Sequence, residues 1–372
     1  MGASYAANHD SLGEALRASQ TDLSLRYRYE YVDQDGFNDS AEASTARLRL
    51  TFKSGDWKGF SVLTEFDHLA EVWETDYNDK LNGKTAYPVI ADPLYTEVNQ
   101  AYISYKGFKN TEIRYGRQRI LLDNQRFVGG VGWRQNEQTY DGVVLVNKSL
   151  PDTTVIFASL YNVNNILGKD LTDGQHNILN VKYEGLKNIA VTGYAYLLEN
   201  ISDTYGVRLT GNTEAFAKGF DYTIEYATQS TDTSPSADTD YYLLEGKFHL
   251  DGFSLTIGNE VHTTDNGTAF QTPLGTNHAF NGWADKFLTV PGTGLNDIYV
   301  GVGSQLLGNK VVLTYHTFSA DTGSDDYGTE WDLAISRPIA KNQTLLFKFA
   351  SYSADTFSTD TDKFWVQWTA KF

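Results

Sequence analysis

The sequence predicts an all-β fold: a transmembrane antiparallel β-barrel of about 18 strands, with about 16 as the smaller alternative. Three observations predict it. Apolar and polar residues alternate with a period of two in segment after segment, as in strands with one oily face and one wet face. The connections alternate between short Gly- and Lys-containing turns and longer, mostly acidic loops. No run of about 18 or more apolar residues is present to form a transmembrane helix, so a membrane crossing would have to use strands.

Met1-Gly2 ahead of Ala3-Ser4-Tyr5-Ala6-Ala7 reads as an expression start joined to a mature N-terminus, any targeting segment having been removed. Residues 8–20 are polar, with a weak helical spacing at Leu12, Ala15 and Leu16. Residues 1–20 are expected to form a periplasmic tether to a single barrel domain over 21–372.

Strands follow from residue 21 onward. In Leu23–Tyr31 the odd positions are Leu, Leu, Tyr, Tyr and Tyr, and the even ones are Ser24, Arg26, Arg28 and Glu30. In Ala46–Lys53, Ala46, Leu48, Leu50 and Phe52 alternate with Arg47, Arg49, Thr51 and Lys53. The pattern returns in Asp221–Ala227, Leu244–Leu250, Lys310–His316, Glu330–Ser336 and Thr344–Ala350. It is weaker in Tyr140–Val146 and Val155–Tyr161, where both faces are apolar. The last strand, Lys363–Phe372, sets Phe364, Val366, Trp368, Ala370 and Phe372 on one parity; Trp365 is the single apolar intruder on the other. Pairing of this strand with Leu23–Tyr31 would close the sheet and leave no edge.

Short turns are expected at Ser54–Gly59, Lys106–Asn110, Lys148–Asp152, Gly185–Asn188, Ala217–Gly219, Asp251-Gly252, Leu307–Lys310 and Ile339–Asn342. Between them lie Asp33–Glu42, Thr75–Tyr95, Thr231–Asp240, Asp321–Asp326 and Asp355–Asp362, with Thr263–Asn296 the longest. Short periplasmic turns and long extracellular loops, with both termini on the short-turn side, are the topology of an even-stranded membrane barrel. A soluble propeller would show a repeat of about 40–50 residues, and none is found. A soluble sandwich has no means of burying so much outward apolar parity.

Composition agrees. Tyr (24), Phe (20) and Gly (32) are abundant and Cys is absent, which removes disulfides, thiolate metal sites and thiol nucleophiles. A net charge of −17 disfavours nucleic acid as a partner. Asp33-Gln34-Asp35-Gly36 and Asp321–Asp326 lack a full set of calcium ligands with a closing Glu, so no metal or other cofactor is expected. Glu260 and His262 share lumenal parity without an evident third partner, and no Gly-x-Ser-x-Gly elbow occurs, so no enzymatic role is expected.

The arginines are placed unevenly. Of twelve, nine lie between Arg26 and Arg134. Arg26, Arg28, Arg47, Arg49 and Arg114 point inward by alternation. Arg117, Arg119, Arg126 and Arg134 follow in Gly116–Gln138, a segment too long for a turn and a candidate inward-folded loop. Glu65, Asp67, Asp123, Glu137 and Asp141 are near enough in the chain to interleave with them. Guanidinium groups lining a pore attract anions and grip carboxylates through a bidentate fork, with the acids shaping a transverse field. The same residues could instead form Arg–carboxylate ladders that brace the wall and the loop.

The run GRQRILLDNQRFVGGVGWRQNEQTYDG at Gly116–Gly142 resembles the alginate-export family of outer-membrane porins. The opening SLRYRYEYVDQDG and the stretch Thr272–Asp297 are similar to that family too. The resemblance implies an 18-stranded monomeric barrel with an arginine-rich constriction for an anionic polysaccharide. It places Arg117, Arg119, Arg126, Arg134 and Asp141 at motif positions. This chain departs from the alginate exporter in being shorter, with modest loops and few arginines after residue 134. The expected function is therefore passive diffusion of small anionic or zwitterionic solutes across a Gram-negative outer membrane; transport of an acidic polysaccharide such as alginate is the alternative. Expected partners are outer-membrane lipids and lipopolysaccharide, small hydrophilic solutes, and the barrel-assembly machinery through Phe372.

Overall fold

The computed structural model describes residues 8–214, 218–231 and 236–372. Met1–Ala7 lies outside them, as do parts of the expected turn at Ala217–Gly219 and loop at Thr231–Asp240. Among the described residues, 18 antiparallel strands close into a barrel. They are β1 (Gln20–Gln34), β2 (Ala41–Lys53), β3 (Phe60–Glu71), β4 (Thr96–Tyr105), β5 (Thr111–Gln118), β6 (Thr139–Asn147), β7 (Thr153–Asn164), β8 (Asp170–Leu186) and β9 (Ile189–Leu198). The ring continues through β10 (Ser202–Thr213), β11 (Phe220–Thr231), β12 (Asp238–His249), β13 (Phe253–His262), β14 (Leu295–Leu306), β15 (Asn309–Ser319), β16 (Asp326–Ala340), β17 (Gln343–Ala354) and β18 (Thr361–Lys371). Each strand pairs with its successor, and β18 returns to β1 with Ser24 opposite Lys371 and Gln34 opposite Thr361.

The two faces separate as alternation requires. In β11, Ile224 and Tyr226 are exposed on the outer wall while Thr223 and Glu225 are buried inside. The turns at one end are tight, and Asn110, Asp152, Asn188 and Asn342 adopt positive φ there, a region Asn and Asp tolerate better than branched residues. At the N-terminus, α1 (Leu12–Arg17) is capped by Ser11, whose Oγ accepts from the Glu14 N–H at 3.2 Å. It docks on the turn between β2 and β3, where the Gly55 N–H donates to the Ala15 carbonyl at 3.0 Å. A Cβ on Gly55 would stand 2.7 Å from that carbonyl oxygen, so only glycine permits the approach.

The barrel is not hollow. Gly116–Gln118 of the expected loop belong to β5, while residues 119–138, between β5 and β6, pack inside the ring. Residues 263–294, between β13 and β14, do so as well, although their length and position set them among the outer loops. Ile120, Leu122 and Val128 of the first loop and Phe270 and Leu274 of the second are buried against Tyr140, Leu160, Ile178, Tyr194, Tyr196 and Tyr241 of the wall. That contact explains the weak alternation of Tyr140–Val146 and Val155–Tyr161. Their inner face meets a loop rather than water, so both faces are apolar. Burial of each such large side chain contributes roughly 1.5–3 kcal/mol, so a few of them suffice to hold a loop in place.

Candidate functional site: a charged lumen under two crossed loops

The inward loops cross backbone to backbone. The Gly129 N–H donates to the Leu274 carbonyl at 2.9 Å, and the Thr276 N–H donates to the Gln125 carbonyl at 2.9 Å. A Cβ on Gly129 would lie 2.2 Å from Thr276 Oγ1, which makes glycine obligatory at the crossing. Buried Tyr140 fixes the position from the wall, its hydroxyl donating to the Gly129 carbonyl at 2.7 Å.

Six of the predicted side chains assemble into one ionic cluster beside the first loop. Arg49 grips Asp67 with two hydrogen bonds of 2.7 and 2.5 Å and reaches Glu137 at 2.9 Å. Arg119 donates to Glu65 at 2.8 Å and through Nε to Glu137 at 2.6 Å. Arg47 lies 3.9 Å from Glu137 and donates to the Gln135 carbonyl at 2.9 Å. Burial alone would raise the Glu137 carboxyl, but Arg49, Arg119 and Arg47 overcome it and hold the group well below the usual carboxylate range.

Arg26 stands apart in its bonding. Its NH1 donates to the carbonyls of Gly132, Trp133 and Arg134 at 3.2, 3.3 and 3.0 Å. No carboxylate lies within ion-pair range of it among the described residues. A cavity of about 600 Å³ opens here, lined by Arg26, Arg47, Arg49, Arg119 and Lys371 together with Asp22, Glu137 and Phe372. β1 and β2 supply most of this basic lining because their polar parity is arginine-rich.

The remaining predicted residues go elsewhere. Arg28 donates to Gln367 Oε1 at 2.7 Å and to the Trp133 carbonyl at 2.5 Å, with its guanidinium 4.1 Å from the Trp133 ring centre. Arg134 is bonded to Glu30 at 3.1 Å and lies 3.3 Å from Asp285. Buried Arg126 reaches Glu260 at 2.6 Å, His262 at 2.6 Å and Asn281 at 2.7 Å. It is the partner that Glu260 and His262 lack in the sequence pattern, and it makes the group an anchor for the loop. Arg117 pairs with Asp141 through two bonds of 2.8 Å, joined to none of the other arginines. Arg114 lies 3.3 Å from Glu112 on its own strand. Asp123 accepts from Asn180 at 2.8 Å and pairs with no arginine among the described residues.

Sequence reasoning missed a second knot built around Trp133 and Trp365. Trp365, the intruder in the terminal strand, points inward and is fully buried. Its ring lies 5.6 Å from that of Trp133 and 5.9 Å from that of His278. The Lys348 ammonium sits over Trp283 at 3.7 Å and Trp133 at 4.1 Å, and bonds to His278 Nε2 at 2.6 Å. Asp285 ties the knot to the wall, accepting from Lys363 of β18 at 2.8 Å and lying 2.6 Å from Nδ1 of His278 on its own loop. The lone wrong-parity tryptophan was the signal for this knot.

Fold and lumen together define a porin-like, closed antiparallel β-barrel. The family model described as "Alginate export" matches residues 18–159, so the resemblance holds over the arginine-rich part of the chain; Thr272–Asp297 lies outside the match. A search of curated proteins finds no match. Among solved structures, the chain is similar to Pseudomonas aeruginosa OccK3 (OpdO), at 14% identity and TM-score 0.75, with 97% of each chain covered. It is also similar to P. aeruginosa OccK9 (OpdG), at 15% identity and TM-score 0.76, covering 96% of this chain and 100% of that one. P. aeruginosa OpdK, crystallised with vanillate, shares 14% identity at TM-score 0.75 over 96% of this chain and 99% of its own. At these identities the likeness concerns the fold alone.

Proposed function

We propose that the protein is a monomeric outer-membrane channel of a Gram-negative bacterium, through which small anionic or zwitterionic solutes diffuse passively. One observation carries this reading: the cavity bounded by Arg26, Arg47, Arg49, Arg119 and Lys371, in which Arg26 has no carboxylate to neutralise it among the described residues. A guanidinium whose bonds go to backbone carbonyls is not neutralised by an ion pair and can meet a passing carboxylate. The solved relative that holds vanillate, a small carboxylate, supports the same solute class. The ion-paired arginines serve as bracing, so the two readings of the arginine cluster apply to different residues.

Transport of an acidic oligosaccharide is the second reading, favoured by the alginate-export match over residues 18–159. Reversal potential in planar bilayers under a potassium chloride gradient tests the first. Anion preference is the expected result, and cation preference or an absence of conductance would overturn it. Uronate oligomers at millimolar concentration should leave the current unchanged on the small-solute reading; block by them would favour the second.

A further inference from the structure

We infer that α1 and the outer wall beside it form a binding groove for one phospholipid, whose acyl chain lies between the helix and the strands. This rests on the reading of the chain as a membrane barrel. A cavity of about 500 Å³ opens on the outside of the ring, at its short-turn end. Leu12 and Leu16 of α1 line one side of it; Phe52 of β2, Val62 of β3 and Ile103 of β4 line the other. Ser54 and Ser61 apart, every side chain in the lining is apolar or aromatic.

Two observations point to an acyl chain as the occupant. First, the strand side of the groove is the outer wall itself. Phe52 shares the outward parity of Leu48 and Leu50, and Val62 that of Phe66; these four neighbours and Ile103 are exposed. The groove therefore continues the apolar band that a bilayer covers on a membrane barrel. Second, Leu12 and Leu16 are 54% and 51% exposed, although α1 is already docked through Ala15 on Gly55. Four residues apart, they share one face of the helix and stand across the gap from the wall. That arrangement leaves both leucines and the wall opposite them in water unless an apolar chain fills the gap.

Aromatic rings beside the groove set its depth. Phe60 lies 4.4 Å from Tyr105 and Tyr105 lies 5.4 Å from Phe108, ring centre to ring centre, and Trp57 lines the groove. Aromatic rings at strand ends collect at the level of lipid head groups. Exposed Lys58 holds its ammonium 6.0 Å from the centre of the Trp57 ring. Asp56 is engaged within the turn, its Oδ1 accepting from the Gly59 N–H at 2.8 Å. A lysine at that level meets the phosphate of a lipid whose chain runs past Leu12 and Leu16.

Native mass spectrometry tests the inference on the full chain, reconstituted in vesicles of phosphatidylethanolamine and phosphatidylglycerol and then extracted into a mild non-ionic detergent. One phospholipid should stay bound. Leu12→Ser combined with Leu16→Ser should lower the retained fraction about ten-fold or more, through the loss of two apolar contacts. Lys58→Ala should lower it several-fold. These three side chains are already exposed, so the fold does not depend on them. Ile224→Ser, on the uncovered outer wall of β11, should leave retention unchanged. Equal losses in the Ile224 and leucine variants, or no retained phospholipid, overturn the inference. So does detergent retained in its place, or a dimer that the leucine variant splits. Flotation with the vesicles separates the two readings: a chain that floats but retains no lipid defeats the groove alone, and a chain that does not float defeats the membrane barrel and the groove with it.

Discussion

Arg126 and Glu260, 134 residues apart in sequence, meet at 2.6 Å inside the barrel with side chains only 1% and 3% exposed. This pair ties the loop that follows β5 to β13, on the far side of the ring. Arg126→Met should strand the Glu260 carboxylate in a dry site and destabilise the folded chain by about 3–5 kcal/mol. The double variant Arg126→Met/Glu260→Met should recover much of that loss, because no charge is then left unpaired. Thermal unfolding in detergent measures both.

Acid should loosen the knot around Trp133. Burial first, with Lys348 and Arg134 adding to it, holds His278 well below the usual imidazole range despite the opposing pull of Asp285. The neutral ring can then donate through Nδ1–H to Asp285 and accept from Lys348 at Nε2. Burial would raise Asp285, but His278, Lys363 and Arg134 hold it well below the carboxylate range. Both groups have a lower pKa folded than unfolded, so the unfolded chain binds the extra protons. Their contribution is complete above about pH 6.5 for His278 and about 3.9 for Asp285, and is lost as pH falls below those values. The melting midpoint should therefore drop on acidification from about pH 6.5, and His278→Gln should flatten the first part of that drop.

Arg26 and Arg117 should separate in selectivity. Arg26 lines the basic cavity without an acidic partner, whereas Arg117 is spent on Asp141. Arg26→Gln should lower the chloride-to-potassium permeability ratio several-fold, with the reversal potential moving toward zero. Arg117→Gln should leave it near the wild-type value. Equal shifts in the two variants would contradict the assignment of the basic cavity.

Neighbouring aromatics on β18 should respond differently to truncation. Trp365 is fully buried between Trp133 and His278, and Trp365→Ala should cost about 3–5 kcal/mol. Phe364 points outward and is 36% exposed on the outer wall, so Phe364→Ala should cost clearly less. Urea unfolding from lipid vesicles compares the two.

Strands, register and ring closure could be read from the chain because a period of two is a local property, visible within ten residues. The pairing of Arg49 with Asp67 was also near the surface of the sequence, since β2 and β3 are adjacent and Arg49 faces Asp67 in register. The lumen was not legible in that way. Arg126 finds Glu260, and Arg134 finds Asp285, only after a ring of strands has been closed, so no spacing rule connects them. Two oddities did point inward: the double apolarity of Tyr140–Val146, whose inner face awaited a loop, and Trp365 on the polar parity. Each was an anomaly without a partner until the second loop, residues 263–294, was placed inside.

The junction of β1 with β18 is where a barrel is most easily prised open. Here it is latched from within. Arg28 of β1 is bonded both to Gln367 of β18 and to the backbone of Trp133, whose ring abuts Trp365 of β18. Parting these strands sideways would require the first loop to withdraw before the ladder could unzip. That seam is therefore held by side chains inside the lumen as well as by its own ladder.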